Sequence, residues 1–194
     1  NEWLNSFIKI NLDTENVKTS ELVLRNMDLR DPTKNLESIY DLVKVCENKG
    51  KRFFICTVML VVPGKPGSHA NIIVIDLEEK TIELFEPHGK RTELSTLDSL
   101  EGAYMVSDKL LKKMFSQVLP KYKYISPQVN LPSFGLQAKV DAFNGMCVTY
   151  CIMYLHYRVL NPSYSQKYII KKMKKQVTKD LLLKYAKYVE EMIK

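Results

Sequence analysis

Apolar and polar residues follow two distinct rhythms along this chain. From Leu36 onward the rhythm is helical: Leu36, Ile39, Tyr40, Leu42, Val43 and Cys46 recur near the spacing that lines one face of an α-helix. Asp31-Pro32 is a plausible opening for that helix, and Asn48-Lys49-Gly50 is a stop. Together, residues 1–50 read as helical in pieces. The rhythm then changes. Residues 53–62 (FFICTVMLVV) run apolar and β-branched without interruption, which predicts a buried strand. Pro63-Gly64-Lys65-Pro66-Gly67 is a turn cluster. Residues 69–77 (HANIIVIDL) are strand-like again. After the short turn Glu78-Glu79-Lys80, residues 81–86 (TIELFE) alternate as the second arm of a hairpin. Pro87-His88-Gly89 closes it.

Further on, Leu110, Leu111, Met114, Phe115 and Val118 predict a helix over 107–119, and the alternating KYKYIS of 121–126 predicts an edge strand. A Pro- and Gly-containing loop covers 127–144. Residues 146–160 form a largely apolar helix closed by Asn161-Pro162, and 165–194 read as one or two lysine-rich amphipathic helices. The sum is an α+β fold with a central, mainly antiparallel or mixed sheet flanked by helices. No domain boundary is visible. One domain spans 1–194: an N-terminal helical region over 1–50, a core over 51–162 and a basic helical tail over 163–194.

Composition narrows the class. Hydrophobic residues make up 45% of the chain and charged residues 26%, with only 7 Gly and 8 Pro, which excludes disordered and fibrous proteins. The longest apolar run, 53–62, is too short to span a bilayer. The first twenty residues are polar and mixed in charge, unlike a signal peptide. The chain begins with Asn rather than Met, as a fragment of a longer protein would. Cys46, Cys56, Cys147 and Cys151 include no C-x-x-C pair, which argues against zinc and thioredoxin-like chemistry. Four cysteines in a chain this large fit reduced thiols in a cytosol-like compartment. The net charge of +7, from 29 Lys and Arg against 22 Asp and Glu, allows an acidic partner. In the tail, residues 167–194 carry nine Lys against three acidic residues. This is a solvated face or a surface for weak nucleic-acid or polyanion contact. Its aromatics Tyr168, Tyr185 and Tyr188 read as core contacts.

Candidate chemistry gathers at three places. His69 opens a strand after a Gly-rich turn, so its ring can sit at the rim of the sheet. Glu86 ends the other arm of the same hairpin, where a cross-strand carboxylate can orient the imidazole and stabilise its charged form. Cys147 follows Asn144-Gly145-Met146 at the start of the apolar helix. The helix N-terminus lowers a thiol's pKa, and its N–H groups can hold an oxyanion. Cys151, one turn on, reads as plain core. A side-chain amide from the preceding loop, Gln137 or its rival Gln128, can add a further oxyanion donor.

These residues resemble the clan of cysteine peptidases that includes adenovirus protease and the ubiquitin-like-protein proteases. The stretch Gly67-Ser68-His69 … Leu84-Phe85-Glu86-Pro87-His88-Gly89 is similar to the hairpin of the adenovirus-type enzyme, with the same His-to-Glu spacing. Cys147-Val148-Thr149-Tyr150-Cys151-Ile152-Met153-Tyr154-Leu155-His156 is similar to its nucleophile helix. Residues 69–71, 85–89 and 158–162 look like those of homologues from large DNA viruses. The resemblance covers roughly residues 50–162. It departs from the family pattern in three places. Ala70 stands where a Trp is usual, Met146-Cys147-Val148 replaces Asp-Cys-Gly, and Gln137 lies ten residues before Cys147, where five to seven is usual. Asp141 falls in that longer gap and could help position the site.

The resemblance implies a papain-like core in the adenovirus-protease arrangement, with Cys147 as nucleophile, His69 as base, Glu86 as orienter and Gln137 as oxyanion donor. It implies no cofactor. The expected partner is a protein with a glycine-type tail, either a ubiquitin or ubiquitin-like conjugate or a viral polyprotein, in the cytoplasm or a virion. An acetyl-coenzyme A-dependent acyltransferase of the same fold is the further alternative.

Overall fold

A computed structural model describes residues 33–61, 68–89, 100–133, 135–140 and 145–193. The first helix, α1, spans Thr33–Asn48. At its end Lys51 N–H reaches back to the Cys46 carbonyl at 3.0 Å and Gly50 N–H to that of Glu47 at 3.0 Å. Gly50 lies at φ 63°, a left-handed cap that glycine adopts without a Cβ clash. The expected opening at Asp31-Pro32 lies outside the described residues, as do the turn at 63–67 and Asp141.

Three strands follow in an antiparallel meander: β1 (Phe53–Val61), β2 (Ser68–Asp76) and β3 (Thr81–Phe85). β1 and β2 pair from Phe53 with Asp76 to Val61 with Ser68, and β2 and β3 from Asp76 with Thr81 to Ile72 with Phe85. The tight β2–β3 turn is held by Asp76, whose Oδ1 accepts the N–H groups of Glu78 and Glu79 at 3.1 Å each. A short fourth strand, β4 (Lys123–Ile125), adds to the free edge of β3 in parallel. The sheet is therefore mixed, in the order β1-β2-β3-β4.

Helix α2 (Leu100–Val118) starts before the residue-107 start expected from the sequence. Within it, the Asp108 carboxylate is engaged by the neighbouring strand. It accepts Tyr124 Oη at 2.8 Å and Ser126 Oγ at 2.6 Å, joining α2 to the β4 edge. The segment expected as plain loop after residue 127 contains two short helices, α3 (Pro127–Asn130) and α4 (Leu136–Lys139). The first is capped by Ser126, with proline in its first turn. Then come α5 (Cys147–Leu160) and the two tail helices, α6 (Gln166–Gln176) and α7 (Lys179–Ile193).

The strands separate two apolar cores. On one face Ile73, Ile75, Ile82 and Leu84 pack with Ile39 and Val43 of α1 and with Leu111, Met114 and Phe115 of α2. On the other, Ala70, Ile72, Val74 and Phe85 pack with Tyr150, Cys151 and Tyr154 of α5 and with Ile169, Met173, Leu182 and Tyr185 of the tail. Cover on both faces explains why β2 reads as continuous apolar sequence. The tail helices belong to the second core, while Lys167, Lys171, Lys175 and Lys184 face solvent. Tyr185 is buried as expected. Tyr168 is not: it is 40% exposed and stacks on Tyr164, because it lies on the outer side of α6.

A buried ionic cluster ties α5 to the sheet. Arg158 donates from Nε to Glu83 at 2.9 Å, from Nη2 to Asp76 at 3.2 Å and from Nη1 to the Pro162 carbonyl at 3.0 Å. Tyr154 Oη donates to Glu83 at 2.9 Å, and Arg52 reaches Asp76 at 3.1 Å from the outside. Among the described residues no helix is long and apolar enough to cross a membrane.

Candidate active site

The β2–β3 hairpin brings His69 and Glu86 together at its open end. Continuing the β2–β3 register by one step beyond Ile72 and Phe85 sets Asn71 opposite Glu86, so His69 is the diagonal neighbour. Long side chains reach across such a diagonal. His69 Nε2 lies 2.7 Å from Glu86 Oε1, and both residues are buried. Oε1 also accepts the His88 N–H at 2.8 Å, and Oε2 accepts Asn71 Nδ2 at 2.8 Å. His69, Asn71 and Glu86 thus share one side of the hairpin, as period-two alternation requires. With Nε2 committed to Glu86, Nδ1 is the ring nitrogen left for chemistry.

Cys147 is the first residue of α5, as the helix-start reading expected. The chain enters through Gly145 at φ 112°, a backbone conformation that side chains disfavour. The thiol Sγ lies 3.8 Å from the Gly145 carbonyl, and its titration is coupled to the His69 imidazole and to the backbone at Ala70 and Val148. Burial by itself would push the thiol up, but the bonds from His69, Ala70 and Val148 and the imidazolium charge together bring it below the ordinary cysteine range. Burial likewise favours a neutral His69. The bonds to Cys147 and Glu86, with their charges, override it and hold the imidazole at about 9. The two groups therefore stabilise each other as thiolate and imidazolium. Cys151 is different: it is buried, its Sγ donates to the Ala70 carbonyl at 3.3 Å, and burial first, then the Glu86 charge, push its thiol well up.

Gln137, at the second position of α4, is 4% exposed. Its segment is fastened to the turn that follows Glu86. Gln137 N–H donates to the Pro87 carbonyl at 3.0 Å, and Gly135 N–H to that of His88 at 2.9 Å. Two glycines make this approach possible. A Cβ on Gly135 would fall 2.2 Å from the Pro87 oxygen, and one on Gly89, itself at φ 90°, would fall 2.5 Å from Gly135 N. Gln128 sits in α3 with its N–H held by Ser126 Oγ at 3.1 Å. The hydrogen bonds to the Pro87 turn thus run through the Gln137 segment.

Sequence reasoning did not single out Asn71 or the Gly89–Gly135 contact. The first depends on strand register, and the second joins two loops distant in sequence. His156, the third histidine, lies in the α5–α7 contact with Tyr185, and burial pushes it down to about 3. Among the described residues no cluster of His, Cys, Asp and Glu is placed to hold a metal ion.

No protein-family model matches the chain. An ankyrin repeat protein of Acanthamoeba polyphaga mimivirus is 27% identical over 133 residues, covering 62% of this chain. The chain spans 17% of that relative's length.

Proposed function

We propose that this chain is a cysteine peptidase with the papain-like core of the adenovirus-protease arrangement. Cys147 is the nucleophile, His69 the base, Glu86 its orienter and Gln137 an oxyanion donor. One observation carries the reading: a buried 2.7 Å contact joins His69 Nε2 to Glu86, and the same imidazole lowers the pKa of a thiol at a helix start. That is the arrangement of nucleophile, base and orienter which thiol acyl transfer needs.

In this reaction the Cys147 thiolate forms a bond to the substrate carbonyl carbon. The N–H groups at the start of α5, together with the Gln137 amide, receive the negative charge on oxygen. As the C–N bond breaks, His69 Nδ1 gives its proton to the departing amine. Water then adds to the thioester carbon while His69 takes its proton, and the C–S bond breaks to restore thiolate and imidazolium. Glu86 stays ionised and holds the ring.

The substrate we favour is a ubiquitin or ubiquitin-like conjugate, in the cytoplasm of a host cell. Cys147 is only 6% exposed, so a substrate must reach it as a thin extended chain, and a glycine tail meets that condition. The test is labelling by ubiquitin and ubiquitin-like proteins carrying a C-terminal propargylamide, read by mass spectrometry. An adduct that disappears in Cys147→Ala, with the fold retained by circular dichroism, supports the reading and names the modifier. Turnover unchanged in Cys147→Ala sinks it. If no modifier labels a Cys147 that still alkylates readily, the substrate moves to viral structural polyproteins.

A further inference from the structure

We infer that Asn71 is a positioning residue of this site: its amide holds the Glu86 carboxylate in the orientation that aligns His69. The inference rests on the peptidase reading above. Each oxygen of Glu86 is engaged. Oε1 takes His69 Nε2 at 2.7 Å and the His88 N–H at 2.8 Å, while Oε2 takes Asn71 Nδ2 at 2.8 Å. The Oε1 bonds by themselves leave the carboxylate free to pivot about its bound oxygen. A second anchor on Oε2 removes that freedom.

Two features separate this from ordinary core filling. Asn71 and Glu86 are 5% and 3% exposed, so water is a poor substitute for the amide donor. In addition, the Asn71 Oδ1 is buried without a hydrogen-bond partner among the described residues. A buried amide with an unmatched acceptor is unfavourable compared with an aliphatic side chain of the same shape, and the neighbouring strand positions Ile72 and Val74 are aliphatic. The donor half of the amide is what the position uses. The amide orientation follows from chemistry, because turning Oδ1 toward the carboxylate would oppose two acceptors. Asn71 faces Glu86, and the titratable groups that act on Glu86 and His69 are His88 on the hairpin and Cys147 and Cys151 on α5.

Losing the donor has two effects with the same sign. The carboxylate pivots and aligns the imidazolium less well. Taking one donor from a buried carboxylate also favours its protonation, which removes the charge that supports the imidazolium. Both weaken the His69 support of the Cys147 thiolate.

The experiment compares wild type, Asn71→Ala and Asn71→Asp by the pH-rate profile of Cys147 alkylation and by kcat and KM on the labelled modifier or polyprotein peptide, with thermal unfolding to report the folded fraction. In Asn71→Ala we expect an alkylation midpoint at higher pH and a kcat lowered by up to about 100-fold, the scale on which small misplacements act, with KM little changed. In Asn71→Asp the introduced acid shares one proton with Glu86. Protonated, it replaces the lost donor, so activity is partly rescued at acid pH and declines as that proton leaves. A merely structural asparagine would not create this new limb.

A folded Asn71→Ala protein with the wild-type midpoint and kcat overturns the inference. A kcat loss that scales only with the unfolded fraction, with no shift of the midpoint, also overturns it. If wild-type Cys147 itself alkylates like an ordinary thiol, the peptidase reading fails, and the inference that rests on it falls with it.

Discussion

The protonation state of a single pair determines how the site responds to pH. Cys147 is lowered from the ordinary thiol range and His69 is raised to about 9, so each group favours the charged form of the other. Alkylation needs only the thiolate. Its rate should therefore plateau at lower pH than for an ordinary cysteine and stay on that plateau as pH rises. The proposed peptidase turnover also needs the imidazolium proton for the leaving amine, so it should decline as pH passes about 9. The gap between the two profiles measures the base directly. Removing the ring in His69→Ala leaves burial as the largest influence on the thiol, and the alkylation midpoint should move upward. A midpoint that does not move would refute the coupling. His69, Glu86 and Cys147 could be read from sequence because a hairpin end and a helix start are local features. Asn71 could not. Which side chain faces Glu86 depends on the pairing of β2 with β3, and a one-residue slip would reverse it.

Between elements, the contact of the Gly135 segment with the Pro87 turn decides where Gln137 stands. Gly135→Ala forces a Cβ against backbone atoms that cannot swing aside, 2.2 Å from the Pro87 oxygen. The loops must part. We expect a loss of about 1–3 kcal/mol, the usual range for overpacking, measured by urea denaturation. Turnover should fall while the alkylation midpoint of Cys147 stays put, since the thiol's partners lie elsewhere. An equal shift in both readouts would show that the contact positions more than Gln137. The long periodic elements were legible at this scale: α1, β1, β2, β3 and α5 fall close to where their hydrophobic spacing puts them. The segment after residue 127 was not. Its two helices are four residues each, too short for a periodic signal, and its fastening to the Pro87 turn joins residues nearly fifty positions apart.

Across the molecule, the sheet is buried on both faces, and the charged groups inside it must satisfy one another. Arg158 is the hub between Glu83, Asp76 and the Pro162 carbonyl. Arg158→Ala would leave two carboxylates in a nearly dry space, and we expect a loss of about 3–5 kcal/mol in chemical denaturation. Arg52→Ala should be milder, because that side chain is 26% exposed and water can take its place. Equal losses would show that the outer arginine carries the cluster. The α+β layout was evident in the sequence from the succession of rhythms, while this cluster was not, since its members come from three separate stretches of chain.

The lowering of the Cys147 thiol depends on His69 and Ala70, and α5 meets the same strand again through Cys151, 81 residues from Ala70. Drawing those segments together closes a long loop, a step that local structure cannot replace. Until it closes, Cys147 is an ordinary thiol in an ordinary chain. A nascent or partly denatured molecule therefore carries the thiol and the imidazole without their coupling. The alkylation rate of one sulfur at neutral pH becomes a gauge of whether the last long-range docking has taken place.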